Sequence, residues 1–308
     1  MKKIKVISLF SGCGGMDLGF LGGFEFLGTK YSKNPFEIIW ANELNPAACN
    51  TYRSNIGDHI VNGDIWEKIK DIPKEADLVI GGFPCQDISV NGKGAGANGA
   101  RSGLYRAMVK VVSEVKPKVF IAENVKGLLM RHNMESLKQI ITDFKKIGYN
   151  VTYHLYSADD FAVPQTRERV IIVGTLAGLP EFVPPKPSTK QPITAKDAIS
   201  DLESFPEDPE FSHIWSKANV SGEQGNRRLK PDRPAYTIRA ECHGNIQFHY
   251  SLNRRISMRE AARFQSFPDN FKFESGLRET ERQIGNAVPP VFAWNIARST
   301  LNLLKEKK

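Results

Sequence analysis

Two periods of apolar spacing alternate along the first 175 residues. Six runs rich in β-branched and aliphatic side chains are five or six residues long and bounded by turn formers: Lys5 to Phe10, Glu37 to Ala41, Asp77 to Gly81, Lys118 to Ala122, Val151 to Tyr156 and Arg169 to Gly174. Each predicts a strand. Between them Leu104, Met108, Val111, Val112 and Val115 recur at helical spacing, as do Leu137, Ile140, Ile141 and Phe144, after which Gly148 suits a left-handed cap. Asn45-Pro46 reads as an N-cap followed by proline in the first helical position. Strands and helices in strict alternation predict an α/β fold with a mostly parallel sheet covered on both faces.

The texture changes after Gly174. Leu179 to Ile193 holds five prolines and little periodicity, which marks a linker or irregular crossing. From there to about Leu252 the patterns are short and mixed, so a smaller, loop-rich unit is expected. Helical order returns where Ser257 and Glu260 form a capping-box pattern, and again in the apolar stripe Ala293, Ile296, Ala297, Thr300, Leu301 and Leu304. The chain shows no internal repeat, and its one low-complexity stretch is the Gly/Ala/Asn-rich run Asn91 to Ala100.

Composition narrows the class. With 308 residues and 41% hydrophobic content the chain can bury a large core, and no apolar run approaches the roughly 20 residues of a membrane span. The opening MKKIKVISLF lacks a secretory apolar stretch and cleavage site, so a soluble, cytoplasmic protein is expected. Cys13, Cys49, Cys85 and Cys242 are far apart and form no C-x-x-C pair, which suggests neither disulfides nor a metal site and leaves a thiol free for chemistry. Lys and Arg exceed Asp and Glu by 42 to 34, a net charge of +8, and the excess is segregated. Arg227 to Arg255 carries seven basic residues against two acids, whereas Asp197 to Glu210 carries six acids and no Lys or Arg. A basic segment interleaved with Tyr236 and His243 suits a polyanion, though a solvated positive face would look the same.

The chemistry-bearing residues fall at predicted strand ends. Ser8-Leu9-Phe10-Ser11-Gly12-Cys13-Gly14-Gly15 closes the first strand with glycines that let backbone amides approach a ligand, or that merely pack a tight turn. Glu43 follows the second strand, where a carboxylate can accept from ribose hydroxyls, and Asp64 sits where a third strand should end. Gly82-Phe83-Pro84-Cys85-Gln86 puts a cysteine just past a buried strand, behind a proline that stiffens its approach. A working thiol there needs a positive or amide-rich surrounding, which Lys93 and Arg101 of the glycine-rich stretch Gly92 to Gly103 could supply; taken alone, an inert buried cysteine fits as well. Glu123 emerges directly after the strand Val119 to Ala122, on the same sheet edge, where low-dielectric walls would let it keep and donate a proton. Arg167 and Arg169 lie two apart at the entry to the last strand, where they can orient Glu123 and grip a phosphate or base carbonyl, or form an ordinary surface ion pair.

These residues together resemble the DNA (cytosine-5) methyltransferase family of bacterial restriction-modification systems. Its motifs occur here in order: the Phe10-x-Gly12-x-Gly14-Gly15 turn, Glu43, Gly63-Asp64-Ile65, Gly82-Phe83-Pro84-Cys85-Gln86, Glu123-Asn124-Val125, Gln165-Thr166-Arg167-Glu168-Arg169, Arg259-Glu260-x-x-Arg263-x-Gln265-x-Phe267-Pro268 and Gln283-Ile284-Gly285-Asn286-Ala287-Val288-Pro289. The span Gly178 to Leu252 falls outside them, where such enzymes carry a variable target-recognition region.

The resemblance implies a Rossmann-like methyltransferase sheet in residues 1–180, completed by 281–308, and a smaller loop-rich target-recognition domain in 181–280. It implies S-adenosylmethionine as cofactor and S-adenosylhomocysteine as product, held by Phe10, Ser11, Gly12, Gly14, Gly15, Glu43, Leu44, Asp64, Ile65, Pro84, Leu104, Asn286 and Val288. Cys85 is then the nucleophile toward carbon 6 of cytosine, with Glu123, Arg167 and Arg169 in support. The partner is double-stranded DNA, contacted by Gln86, Ser89, Arg101, Arg227, Arg228, Arg233, Thr237, Arg239 and His243. The expected setting is a nucleoid-associated monomer whose cognate restriction endonuclease acts on the same site. Ser8 and Ser11 depart from the Asp and Ala many relatives carry there, and the stretch around Gly28 to Pro35 is long for the family. A tRNA-methylating relative would carry a Cys-Phe-Thr tripeptide absent here, a silent DNA-binding relative would not need Cys85, Glu123 and Arg167 intact, and a dehydrogenase leaves the Pro-Cys dipeptide unexplained.

Overall fold

The computed structural model describes residues 3–83, 103–217, 227–240 and 247–305. The first unit contains, in chain order, β1 (Ile4–Leu9), α1 (Gly15–Leu21), β2 (Phe24–Phe26), β3 (Thr29–Tyr31), β4 (Phe36–Glu43), α2 (Pro46–Asn55), β5 (Ile60–Asn62), α3 (Ile65–Lys68), β6 (Leu78–Gly81), α4 (Leu104–Val115), β7 (Val119–Val125), α5 (Met134–Lys146), β8 (Tyr149–Ser157) and β9 (Glu168–Leu176). Then follow α6 (Ala195–Ile199), α7 (Met258–Phe264), α8 (Leu277–Asn286) and α9 (Pro290–Lys305).

Seven strands form one sheet in the order β5-β4-β1-β6-β7-β9-β8. The first five pair in parallel, while β9 runs antiparallel to both neighbours, so a single reversed strand stands between β7 and β8. The apolar runs are nearly continuous because successive side chains enter two different cores. Val6, Leu78, Ile80, Val119 and Ile121 face a layer made by Met16 and Phe20 of α1 and by Val291, Phe292 and Ile296 of α9. Ile7, Leu9, Val79, Phe120 and Ala122 face α4 and α5 through Met108, Val112, Ile140 and Phe144. Full burial of each such aliphatic or aromatic side chain contributes about 1.5–3 kcal/mol, which adds to the strand preference of these β-branched runs. The C-terminal stripe thus packs on the first unit.

Capping follows the sequence signals. Asn45 accepts from the amides of Ala47 and Ala48 at the start of α2, and α5 ends at Lys146 with Ile147 as its cap, followed by Gly148 with its φ of 97°. The stretch around Gly28 to Pro35 resolves into the β2–β3 hairpin. Its Phe24, Phe26 and Tyr31 are buried, and Tyr31 lies edge-on to Trp294 of α9 at 5.3 Å.

The second unit is loop-rich, with α6, α7 and isolated bridges among its described residues. Its core gathers Ile199, Leu229, Ile238, Ile256, Phe264 and Phe267, and takes in Ile284 of α8, Ala287 and Cys13 from the cofactor-turn side. Buried arginines substitute for a regular ladder. Arg259 donates to the carbonyls of Phe211, Pro268 and Phe271, and Arg263 is held between Asp201 and Asp269. Ser257 and Glu260 form the expected capping box on α7, and Glu260 also receives Arg254.

Candidate active site at the carboxyl ends of the strands

Adjacent parallel strands β4, β1, β6 and β7 end on one edge, which brings Glu43, Phe10, Gly82 and Glu123 into a single row. The chain leaves β1 through Phe10 with a φ of 55°, and the turn carries Gly12 at 57° and Gly14 at 94°. Glu43 is fixed by two amides: Gly12 N–H donates to Oε2 at 2.9 Å and Asn45 N–H to Oε1 at 2.8 Å. Its remaining lone pairs stay available to hydroxyl donors. Asp64 is exposed and caps α3 through Trp66 N–H at 2.9 Å, with Ile65 buried beside it. Leu44 is 68% exposed, and Leu104 opens α4 half-buried.

The far end of the chain returns to this turn. A β-carbon on Gly15 would lie 2.5 Å from the Val288 carbonyl oxygen and 3.2 Å from the Ala287 methyl, an approach that only glycine permits. Val288 is buried against this turn, and Asn286 is exposed at the end of α8. A carboxylate preset by amides, an aromatic residue with a half-buried ring and an apolar floor at Ile65 fit the ribose and adenine of S-adenosylmethionine.

Beside this half lies a largely enclosed ion pair. Arg169 Nε meets Glu123 Oε1 at 2.7 Å, with the two side chains 11% and 13% exposed. A β-carbon on Gly82 would stand 3.0 Å from Glu123 Oε2, and Asn124 Nδ2 donates to the Phe83 carbonyl at 3.0 Å. The chain entering Pro84-Cys85 is therefore fastened to the strand that carries Glu123. Cys85 itself lies outside the described residues, as do Pro84, Gln86, Ser89, Arg101 and His243. Cys13 and Cys49 are buried, and burial pushes their thiols up to about 12 and about 11, so neither supplies a thiolate near neutral pH.

One expectation about a side-chain role is corrected. Arg167 does not pair with Glu123: its guanidinium is 1% exposed and donates to the carbonyls of Ile238 at 2.9 Å, Gly285 at 2.8 Å and Ala287 at 3.0 Å. The reason lies at the α8–α9 junction. Pro289 has no N–H to serve the Gly285 carbonyl, and Val291 N–H is taken by Ser266 Oγ instead of Ala287. A fork of donors fills both vacancies. Thr237, expected on DNA, turns its hydroxyl to the Thr166 carbonyl at 2.6 Å. Arg228 donates to the carbonyls of His249 and Leu252 at 2.6 and 3.0 Å and is exposed. Arg227 lies over the Tyr236 ring at 5.5 Å, and Arg227, Arg233 and Arg239 remain exposed.

Gln165 was a motif letter without a role, and the structure supplies one. Its amide donates to the Phe264 carbonyl and Gln265 Oε1, both at 3.0 Å, while Oε1 accepts from Ile238 N–H at 2.8 Å. Thr166 N–H and Ala235 N–H complete a bridge between the segments. The stretch Ala235 to Arg239 is thus registered against the residues that lead to Arg169. A β-carbon on Gly285 would come within 2.4 Å of the Arg239 carbonyl carbon, so this contact also demands glycine.

The profile of the C-5 cytosine-specific DNA methylase family matches residues 4–228 and 212–302. The chain belongs to this family. It is 38% identical to the Type II methyltransferase M.NgoFVII of Neisseria gonorrhoeae, over 99% of this chain and 88% of that one. It is 34% identical to the Type II methyltransferase M.FnuDI of Fusobacterium nucleatum, over 99% and 96%. The fold matches the Dnmt2 methyltransferase of S. pombe with a TM-score of 0.69 at 20% identity, over 99% of this chain and 100% of that one. The protein is a methyltransferase with a Rossmann-like sheet.

Proposed function

We propose that this methyltransferase modifies carbon 5 of a cytosine flipped out of duplex DNA at a short specific sequence, with S-adenosylmethionine as methyl donor. It acts as the protecting half of a restriction-modification system, as a monomer in the cytoplasm. The observation that carries the reading is the Glu123–Arg169 pair, set beside Gly82 on the edge that also holds Glu43 and the Phe10 turn.

Carbon 5 of cytosine is a poor nucleophile. Attack of the Cys85 thiolate on carbon 6, while Glu123 donates a proton to the ring nitrogen beside the carbonyl, turns the ring into an enamine. Arg169 holds the Glu123 carboxyl toward that nitrogen. Glu43, Phe10, Asp64 and Ile65 would hold the cofactor, which supplies an electrophilic methyl group when bound. Once carbon 5 carries the methyl group, loss of its proton and departure of the Cys85 thiolate restore the aromatic ring. The base must leave the helix to reach this row, at a cost of a few kcal/mol that DNA contacts offset. Arg227, Arg228, Arg233, Thr237 and Arg239, together with Gln86, Ser89, Arg101 and His243, make up the proposed set for such contacts.

Tritium release tests the chemistry without knowledge of the target. DNA tritiated at carbon 5 of cytosine should lose label to water in step with methyl incorporation, and Cys85→Ser should do neither while still binding DNA. Methyl incorporation without tritium release would place the methyl group on another atom.

A further inference from the structure

Beneath the Phe10–Gly15 turn runs a chain of hydrogen-bonded side chains, with Ser8, Asp17 and Tyr52 buried and Ser11 and His59 half-buried at its ends. Ser11 Oγ donates to Ser8 Oγ at 2.9 Å, Ser8 Oγ donates to Asp17 Oδ2 at 2.9 Å, and Tyr52 Oη donates to Asp17 Oδ1 at 3.0 Å. Tyr52 Oη also lies 2.9 Å from His59 Nε2. Asp17 is fully buried on α1, and the bonds to its carboxylate come from these two hydroxyls and its own backbone N–H, none from a basic side chain. Burial pushes its carboxyl up to about 6, while the hydroxyls of Ser8 and Tyr52 and its own backbone N–H favour the ionised form in a place where charge is costly. A group kept at such cost without an ion pair calls for a role beyond packing.

Resting on the reading that this turn holds S-adenosylmethionine, we propose that Asp17 is a positioning residue that sets the hydrogen-bond polarity of the turn. An ionised carboxylate only accepts. Ser8 must therefore give its proton to Asp17, and its lone pairs are left to take the proton of Ser11. The Ser11 hydroxyl is thereby held with its hydrogen inward, its remaining lone pair directed away from Ser8, and the turn from Phe10 to Gly12 is pinned to α1 from below. The two serines and the buried carboxylate form one unit, which accounts for Ser8 and Ser11 standing together in this chain.

The test uses the full-length enzyme with Asp17→Asn and Ser8→Ala. Affinity for S-adenosylhomocysteine is measured by calorimetry, and KM for S-adenosylmethionine is separated from kcat and from KM for DNA. An amide can donate as well as accept, so it no longer enforces the direction. Each variant should weaken S-adenosylhomocysteine binding and raise KM for S-adenosylmethionine about fivefold or more, the loss expected from one charge-assisted hydrogen bond. The kcat at saturating cofactor and KM for DNA should stay within about twofold. Asp17→Asn should melt no lower than the parent, because it removes a buried charge. Cofactor affinity within about twofold of the parent in both variants would overturn the proposal, as would a fall in melting temperature and kcat together without a change in KM. If the parent itself does not bind S-adenosylhomocysteine, the cofactor reading fails instead.

Discussion

Replacing Arg167 by Met should act on the joint between the two units rather than on the chemical step. The substitution keeps most of the aliphatic volume and removes three hydrogen bonds of 2.8–3.0 Å to buried carbonyls. Gly285 has no amide to turn to, since residue 289 is proline, and the Ala287 carbonyl keeps only Gln265 Nε2 at 3.3 Å. Each carbonyl left without a donor costs about 1–3 kcal/mol. Against this, the variant no longer buries a guanidinium whose pKa is held well below its ordinary value by burial and by neighbouring Arg169. The net loss should be about 2–4 kcal/mol, a large share of the roughly 5–15 kcal/mol that holds a typical domain together. Urea unfolding followed by circular dichroism should show the midpoint lowered by about 1 M for a slope near 3 kcal/mol/M, and Arg167→Lys should recover little because one ammonium cannot serve three separated carbonyls. A midpoint unchanged in both variants, with turnover abolished, would refute the reasoning and return Arg167 to the reacting groups.

Two further outcomes follow from the second unit. Arg239→Ala should relax or weaken site choice with little change in cofactor affinity; methylation mapping of a random-sequence library checks this, and an unaltered sequence preference removes Arg239 from the readout. His213 and His249 are both buried with their pKa lowered by that burial; for His249, Glu260 at 3.7 Å opposes the shift without reversing it. A lowered folded-state value means the unfolded chain binds protons first, so their contribution is full above about pH 6.5 and is lost as the pH falls below it. Asp17 has the opposite sign, because its raised value makes the ionised form the less favourable one and acid relieves it. Melts between pH 7.5 and 5.5 should therefore show Trp215, in the second unit, losing its native fluorescence before Trp40 in the sheet. A first unit that loosens first in acid would contradict this assignment.

The parts of the fold legible in the sequence are those where burial leaves a run or a stripe. β1, β6 and β7 read clearly because both faces of each strand are covered. β5 has three residues and the β2–β3 hairpin six, too few for a period to show. α8 carries only Leu277 and Ile284 as large apolar residues, so no stripe marks it. The site divides the same way. Glu43 and Glu123 are legible because each stands at the end of a predicted strand, and Arg169 because it alternates with Arg167 at the entry to the last strand. Arg167 was assigned by its place beside Arg169 in the Gln165 to Arg169 motif, and a guanidinium serves an orphaned backbone carbonyl as readily as a carboxylate or phosphate. Pro289 was the available clue for Arg167, since it leaves a helix-end carbonyl without its donor.

The central claim is most directly tested by bisulfite sequencing of DNA from a methylation-free host that expresses this chain, with the Cys85→Ala variant beside it. Protected cytosines in one recurrent sequence context, absent from the variant, are the predicted result. Protection that persists in Cys85→Ala would contradict the nucleophile, and no protected cytosine in either strain would contradict DNA cytosine as the substrate.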